Sequence, residues 1–218
     1  MRDLIVGSIR FSLISWLLCG IVYPLVATVL AQTLFPFQTN GSLVKKADGT
    51  VIGSVLISEN WTDPRWFHGR PSATTAADPT DSETTIAAPY NASSSGGSNL
   101  GPTSQELWRR LWTDRKRLEL SQPSLSRQKL PADMLTTSAS GLDPDISRAN
   151  AMLQAKRVAA ARGLSEEELR SLIEAHIISR DLGVFGEPRV NVLELNLALE
   201  SGTRQGIGAF HSNVMLSP

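Results

Sequence analysis

FSLISWLLCGIVYPLVATVLAQTLF, Phe11 to Phe35, decides the architecture of this chain. It opens a run of 34 residues, Phe11 to Val44, that contains no Asp, Glu, Lys, Arg or His. As a helix, its roughly 25 apolar residues extend about 37 Å. The hydrocarbon core of a bilayer is about 30 Å thick, so the segment spans it with some tilt. A helix buried in a soluble domain carries polar residues along one side, and this one carries almost none. The competing reading is a signal peptide cleaved before Gln32, after the small-residue pattern Val29-Leu30-Ala31. Signal h-regions run about 7–15 residues, so length favours a retained anchor. Cys19 is not in a lipoprotein setting, because Leu17 and Leu18 precede it.

Arg2, Arg10 and the amino terminus precede the span, and the next charges are Lys45 and Lys46. The positive-inside tendency then gives a short cytoplasmic start and one transmembrane helix over 1–37, with an exported domain over 38–200. Residues 201–218 read as a flexible tail. The single cysteine sits inside the span, so the exported part holds no disulfide. Basic and acidic side chains balance at 21 each, which leaves no charge excess to draw a nucleic acid.

The span has a face. Ser8, Ser12, Ser15 and Cys19 recur at steps of four, three and four, and Ala27 and Ala31 add small residues further on. Small side chains let another transmembrane helix approach closely. Alternatively, the serines bond back to their own helix and face lipid. Pro24 frees the carbonyl of Gly20, which predicts a kink.

Beyond the span, GSLVKKADGTVIGSVLI (Gly41 to Ile57) reads as a hairpin turning at Asp48-Gly49. Trp61, Trp66 and Phe67 read as a core plug. Residues 74–89, with Ile86 as their one large aliphatic, read as a surface loop. Thr103 and Glu106 form a capping box ahead of QELWRRLWTDRKRLEL, whose cations read as a solvated face. Residues 121–131 form a linker. One helix is predicted from about Ser147 to Arg162, and a second starts at Ser165 with Glu168 completing its capping box. His176 falls on the inner face of that second helix and reads as a core-edge histidine. RVNVLELNLALE (Arg189 to Glu200) alternates and reads as a strand. The fold class is therefore α+β: one N-terminal transmembrane helix followed by a mixed α+β exported domain.

Catalytic signatures are scarce. Ser126 and Lys129 match S-x-x-K without the partner motifs that chemistry requires. Asp143 and Asp145 read as turn and helix-cap residues, and no spacing suggests a metal site. SGGSNLG (Ser95, Gly96, Gly97, Ser98, Asn99, Leu100, Gly101) has the glycines of a phosphate cradle. It lacks a nearby lysine or arginine, however, and Pro102 removes a backbone donor.

Several of these pieces together resemble the KdpC family, the small C subunit of Kdp-type potassium-transporting ATPases. They are RPSA (70–73), YN (90–91), SGGSNLGPT (95–103), TTSASGLDPDIS (136–147) and RVNVLELNLAL (189–199), in the family's order after one N-terminal span. The resemblance covers the chain apart from 74–89 and the residues after Glu200. It implies a non-catalytic accessory subunit in the bacterial inner membrane. Its partners there are a potassium-binding channel-like subunit, a P-type ATP-hydrolysing subunit, a small single-span subunit and membrane lipid. It also implies a catalytic chaperone that raises the ATP affinity of the hydrolysing subunit, and ATP contact with this chain rests on the resemblance alone. The charge asymmetry instead puts the domain on the periplasmic side, away from cytoplasmic ATP. Asp145 stands where the family often has histidine, so no role of that imidazole transfers. A secreted hydrolase released before Gln32 and a lone membrane-anchored binding module are the rival readings.

Overall fold

The computed structural model describes residues 1–205 apart from Ala47 and Ser82. Of the segment expected as a tail, residues 206–218 lie outside the described residues. The described chain forms two compact units, one covering Met1–Leu43 and the other beginning at Val44.

The first unit is built on one helical rod, Arg2–Leu34, whose most apolar stretch has a mean hydropathy of 2.2. It is long and apolar enough to cross a membrane, and none of that stretch is buried within the protein. The rod comprises α1 (Arg2–Leu17), a π-helical turn (Leu18–Val22) and α2 (Tyr23–Leu34). The turn lies immediately before Pro24. In it the Tyr23 N–H reaches back to the carbonyl of Leu18, absorbing the donor that proline removes. Where a kink was expected at Pro24, the structure has a π turn immediately before the proline. A short helix, α3 (Pro36–Thr39), follows.

In the second unit β1 (Leu43–Lys45) pairs with β2 (Val51–Ser54). Gly49 takes φ +85° at the turn, and the Asp48 carboxylate accepts the N–H of Thr50 at 2.9 Å. The surface segment 74–89 is folded as a second hairpin, β3 (Thr75–Ala77) against β4 (Thr85–Ala87), with Ala76 opposite Ile86. Its turn is stapled locally, since Asp78 accepts both the N–H and the hydroxyl of Thr80.

α4 (Gln105–Ser121) starts one residue later than the sequence suggests. A turn in which Ser104 N–H bonds the Gly101 carbonyl occupies Thr103, so Ser104 becomes the cap and its hydroxyl accepts the Leu107 N–H. The expected linker 121–131 contains a 3₁₀ turn, Pro123–Leu125, that buries Leu125. Ser126 donates to the Pro123 carbonyl there, which makes it a turn hydroxyl.

The core gathers around three further helices and a small sheet. β5 (Asp145–Ser147), β6 (Ile177–Ile178) and β7 (Arg189–Asn191) form an antiparallel sheet in the order β5-β7-β6. α5 (Arg148–Arg162) is capped by Ser147 and ends at left-handed Gly163. α6 (Glu166–Ala175) carries the full capping box of Ser165 and Glu168. His176 caps its C-terminus half-buried, with Nδ1 2.8 Å from the Leu172 carbonyl.

RVNVLELNLALE is a strand only over Arg189–Asn191. From Val192 it is α7 (Val192–Gln205), which runs into the segment expected as tail. The Asn191 carboxamide accepts the Glu194 N–H and starts the helix. Val192, Leu195 and Leu199 then meet the core at helical spacing, and Leu193 and Asn196 are buried beside them. A helix buried nearly all round shows no polar stripe, so its leucines also fitted a period of two.

Phe67 is fully buried, with Trp61 and Trp66 packed on the same core and their rings 5.1 Å apart. Arg162 lies over the Trp66 ring at 4.2 Å. The aromatic plug is held by buried amides. Asn196 bonds both the N–H and the carbonyl of Phe67, and Gln154 does the same for His68. The Arg157 guanidinium reaches the carbonyls of Pro64 and Trp66, and burial pulls its pKa down to about 10.

Candidate functional site

Of the five segments that carry the family resemblance, 189–199 lies in β7 and the core helix α7, and the other four converge on one place. Ser72, from RPSA, is its hub. Its hydroxyl donates to the Gly141 carbonyl at 2.8 Å and accepts the N–H groups of Thr74 and Tyr90. Thr74 in turn bonds the Ala88 carbonyl at 2.6 Å and takes the Asn91 N–H. The Asn91 carboxamide closes on the Thr75 carbonyl. Tyr90, in a left-handed conformation with φ +62°, donates its hydroxyl to the Arg70 carbonyl at 2.6 Å. Burial pushes that phenol up to about 12, so it remains a donor at physiological pH.

SGGSNLG lies against SASGLD. The carbonyl of Ser140 accepts both the Gly96 N–H at 2.8 Å and the Ser95 hydroxyl at 3.0 Å. Thr137 donates to the Ser98 hydroxyl at 3.4 Å. The fit needs glycine at two points. A Cβ on Gly97 would stand 3.0 Å from the Ala139 carbonyl oxygen, and one on Gly141 only 2.6 Å from that of Gly96. Asn99 is exposed with φ +52°, Leu100 is half-buried, and Gly101 is exposed.

This arrangement bears on anion binding. A cradle aims free N–H groups at the ligand, yet the Gly96 N–H is committed to Ser140 and residue 102 is proline. The cation of the site, Arg70, is also engaged. It bonds the Asp143 carboxylate at 2.9 Å and the Thr137 carbonyl at 3.2 Å. Asp143 also accepts the Asp145 N–H, the turn role expected of it. Asp145 is a strand residue and not a helix cap. It pairs with Arg189 at 3.0 Å across the sheet, and burial raises its pKa. Asp133 supplies the carboxylate at the α5 start, accepting from Ser147 and Asn150.

A groove of about 550 Å³ adjoins the loops, lined by Leu56, Ile57, Arg70, residues 138–140 and residues 142–144. Among the described residues, no group of three or more His, Cys, Asp or Glu side chains gathers as metal ligands would. The hydroxyls of the site bond carbonyls, amides and one another, so what the geometry provides is a stiff, nearly neutral surface.

The small residues of the span form a separate set. Ser8, Ser12, Ser15 and Cys19 lie on α1 and the π turn, Ala27 and Ala31 on α2. On an unbroken α-helix Ala27 falls about 100° away from the serine stripe. The residue inserted by the π turn offsets the register by about that angle, returning Ala27 and Ala31 to the serine side.

Comparison with known proteins matches these features to one family. The profile described as KdpC, K+-transporting ATPase, c chain, fits residues 5–201. The chain belongs to the KdpC family. It is 56% identical over 185 residues to the potassium-transporting ATPase KdpC subunit of Rhodopseudomonas palustris strain BisB18, covering 85% of this chain and 91% of that one. The Methylobacterium nodulans KdpC subunit is also 56% identical, over 84% of this chain and 90% of its own. The subunit of R. palustris strain CGA009 is 50% identical over 92% of this chain and 96% of its own. For a KdpC chain, then, the residues that give the resemblance are largely those that tie the loop cluster together. Sequence reading named the glycine-rich loop but missed its tie to Ser140 and the hub role of Ser72. Those links join residues tens of positions apart, and no local pattern encodes them.

Proposed function

We propose that this chain is the non-catalytic accessory subunit of an ATP-driven potassium import complex. It assembles with the channel-like, ATP-hydrolysing and small single-span subunits and acts as a catalytic chaperone that raises the ATP affinity of the hydrolysing subunit. The domain lies on the periplasmic side, and the coupling is indirect: ATP is held by the hydrolysing subunit, and no cofactor is held tightly here. The observation that carries this reading is the interlocked pair of loops, 95–101 against 138–141. It carries no charged side chain and is tied together by hydrogen bonds, with the Gly96 N–H and the neighbouring Arg70 already engaged. A neutral Ser/Asn surface suits a place over the outer potassium entrance, because it does not trap the ion as a carboxylate cluster would. The small-residue side of the span, Ser8 to Ala31, is where a transmembrane helix of a partner subunit packs.

The test places one cysteine at Ser95 in a Cys19→Ser background, inside the assembled pump. A membrane-impermeant thiol reagent is added to intact cells, and the apparent affinity for potassium is measured after exchange of Ser98 and Asn99 for alanine. Labelling from outside together with altered potassium affinity is the expected result. Labelling only after the cells are opened overturns the periplasmic placement, and unaltered potassium affinity overturns the role at the entrance.

A further inference from the structure

We infer that α4 is a second membrane contact of this chain, lying on the headgroup region of an anionic bilayer. The helix has two unlike faces. Leu107, Leu111 and Leu118 are half-buried. On the other side, Trp108, Trp112, Lys116 and Leu120 recur every fourth residue, each beside the next, in a row that drifts gradually around the rod. Trp108 is 57% exposed, Trp112 61% and Leu120 84%. The Trp108 indole N–H is held by the Pro102 carbonyl at 3.1 Å, which fixes the ring while its apolar body stays in water.

The charges point to the occupant. Over Gln105–Ser121 there are five basic side chains against three acidic ones. Two of the acids are engaged within the helix, Asp114 with Arg110 and Arg117 and Glu119 with Arg115, while Glu106 lies in the first turn, where its charge suits the helix dipole. Arg109 and Lys116, on the tryptophan side, make no ion pair among the described residues. Exposed indoles beside unpaired cations match a headgroup layer, where the rings sit at the interface and the cations meet phosphate. A helix docking in a protein groove instead presents an apolar ridge at i, i+3, i+4 and i+7, and here a lysine interrupts the ridge. The same chain carries the candidate span, so a bilayer is available to α4 at high effective concentration.

The experiment uses the full chain with Cys19→Ser and Thr113→Cys, the new thiol carrying an environment-sensitive dye. The chain is reconstituted alone in phosphatidylcholine vesicles and in vesicles that also contain phosphatidylglycerol. The dye is read with aqueous iodide and with a lipid quencher at headgroup depth. The expected result is protection from iodide and quenching by lipid in the anionic vesicles, lost at 1 M salt, where the screening length is about 3 Å. Lys116→Gln lowers the protected population about fivefold. Trp108→Ser with Trp112→Ser abolishes protection while helicity is retained. Equal iodide access in both vesicles overturns the inference. So does protection indifferent to phosphatidylglycerol, or protection that needs the other pump subunits, which would assign this face to a protein.

Discussion

Replacing Gly141 by alanine adds one methyl group where the two motif loops meet, and its effect can be worked from two separable terms. Gly141 has φ +67°, a conformation that costs an L-residue about 1–2 kcal/mol. The new Cβ would also stand 2.6 Å from both the Gly96 carbonyl oxygen and the Thr74 methyl. Both neighbours are tied down, Gly96 to Ser140 and Thr74 to Ala88, so neither can retreat freely. Overpacking of this kind costs about 1–3 kcal/mol more. Gly163 supplies the control. It has nearly the same φ, +68°, at the end of α5, with nothing within 4 Å of the added atom. Gly163→Ala therefore carries the conformational term alone. In thermal melts of the full chain in mild detergent, each kcal/mol lowers Tm by about 2–4 °C for a protein of this size. Gly141→Ala is expected to melt clearly below Gly163→Ala, which itself melts slightly below the parent. Equal Tm values for the two variants would refute the argument, because they would show that loops 95–101 and 138–141 yield to the extra methyl.

Two further perturbations test the core that supports those loops. Asn196→Leu leaves the Phe67 N–H and carbonyl buried without partners, at about 1–3 kcal/mol each; a melt unchanged from the parent would contradict the assigned hydrogen bonds. His68 has its pKa lowered by burial and then by the neighbouring Arg157, against an opposing pull from Asp63. The unfolded chain thus binds this proton more readily, near pH 6.5, than the folded one. Stability from the neutral ring is full above that value and declines as pH falls through the lower folded pKa. His68→Gln should flatten the Tm profile below about pH 6.5; a variant that tracks the parent at every pH would show that the ring does not titrate differently on folding.

Local chemistry made much of the framework readable. The Asp48-Gly49 turn, the Ser165–Glu168 capping box and the helix capped by Ser147 each rest on contacts within a few residues, and each stands in the structure. The long apolar helix was legible because an uninterrupted apolar run of that length is enough to cross a bilayer. Where two periods fitted the same residues, reading went wrong. Val192 to Leu199 alternates like a strand, and only the Asn191–Glu194 spacing signalled the helix start. In 74–89 Ile86 is the one large aliphatic, and the Asp78 and Asp81 turn bonds help form a hairpin without a larger apolar set. The site was legible as a set of motifs but not as a place, because Ser72–Gly141, Arg70–Asp143 and Gly96–Ser140 are tertiary contacts.

The position of β7 sets an order on folding. It is the central strand, flanked by β5 and β6, yet both neighbours precede it in the chain. α7, which follows it directly, brings Val192, Leu195 and Leu199 to the core and the amide that clasps Phe67. A chain emerging residue by residue can form its early hairpins and α5 with α6, but it cannot close the sheet until about Leu199 has appeared. Until then Phe67 and the inner faces of α5 and α6 have no complete partner surface, so apolar surface stays uncovered while the chain is incomplete. Docking of the final strand and helix is thus the step that commits the domain, and substitutions in 189–199 should slow its appearance in cells more than those in either hairpin.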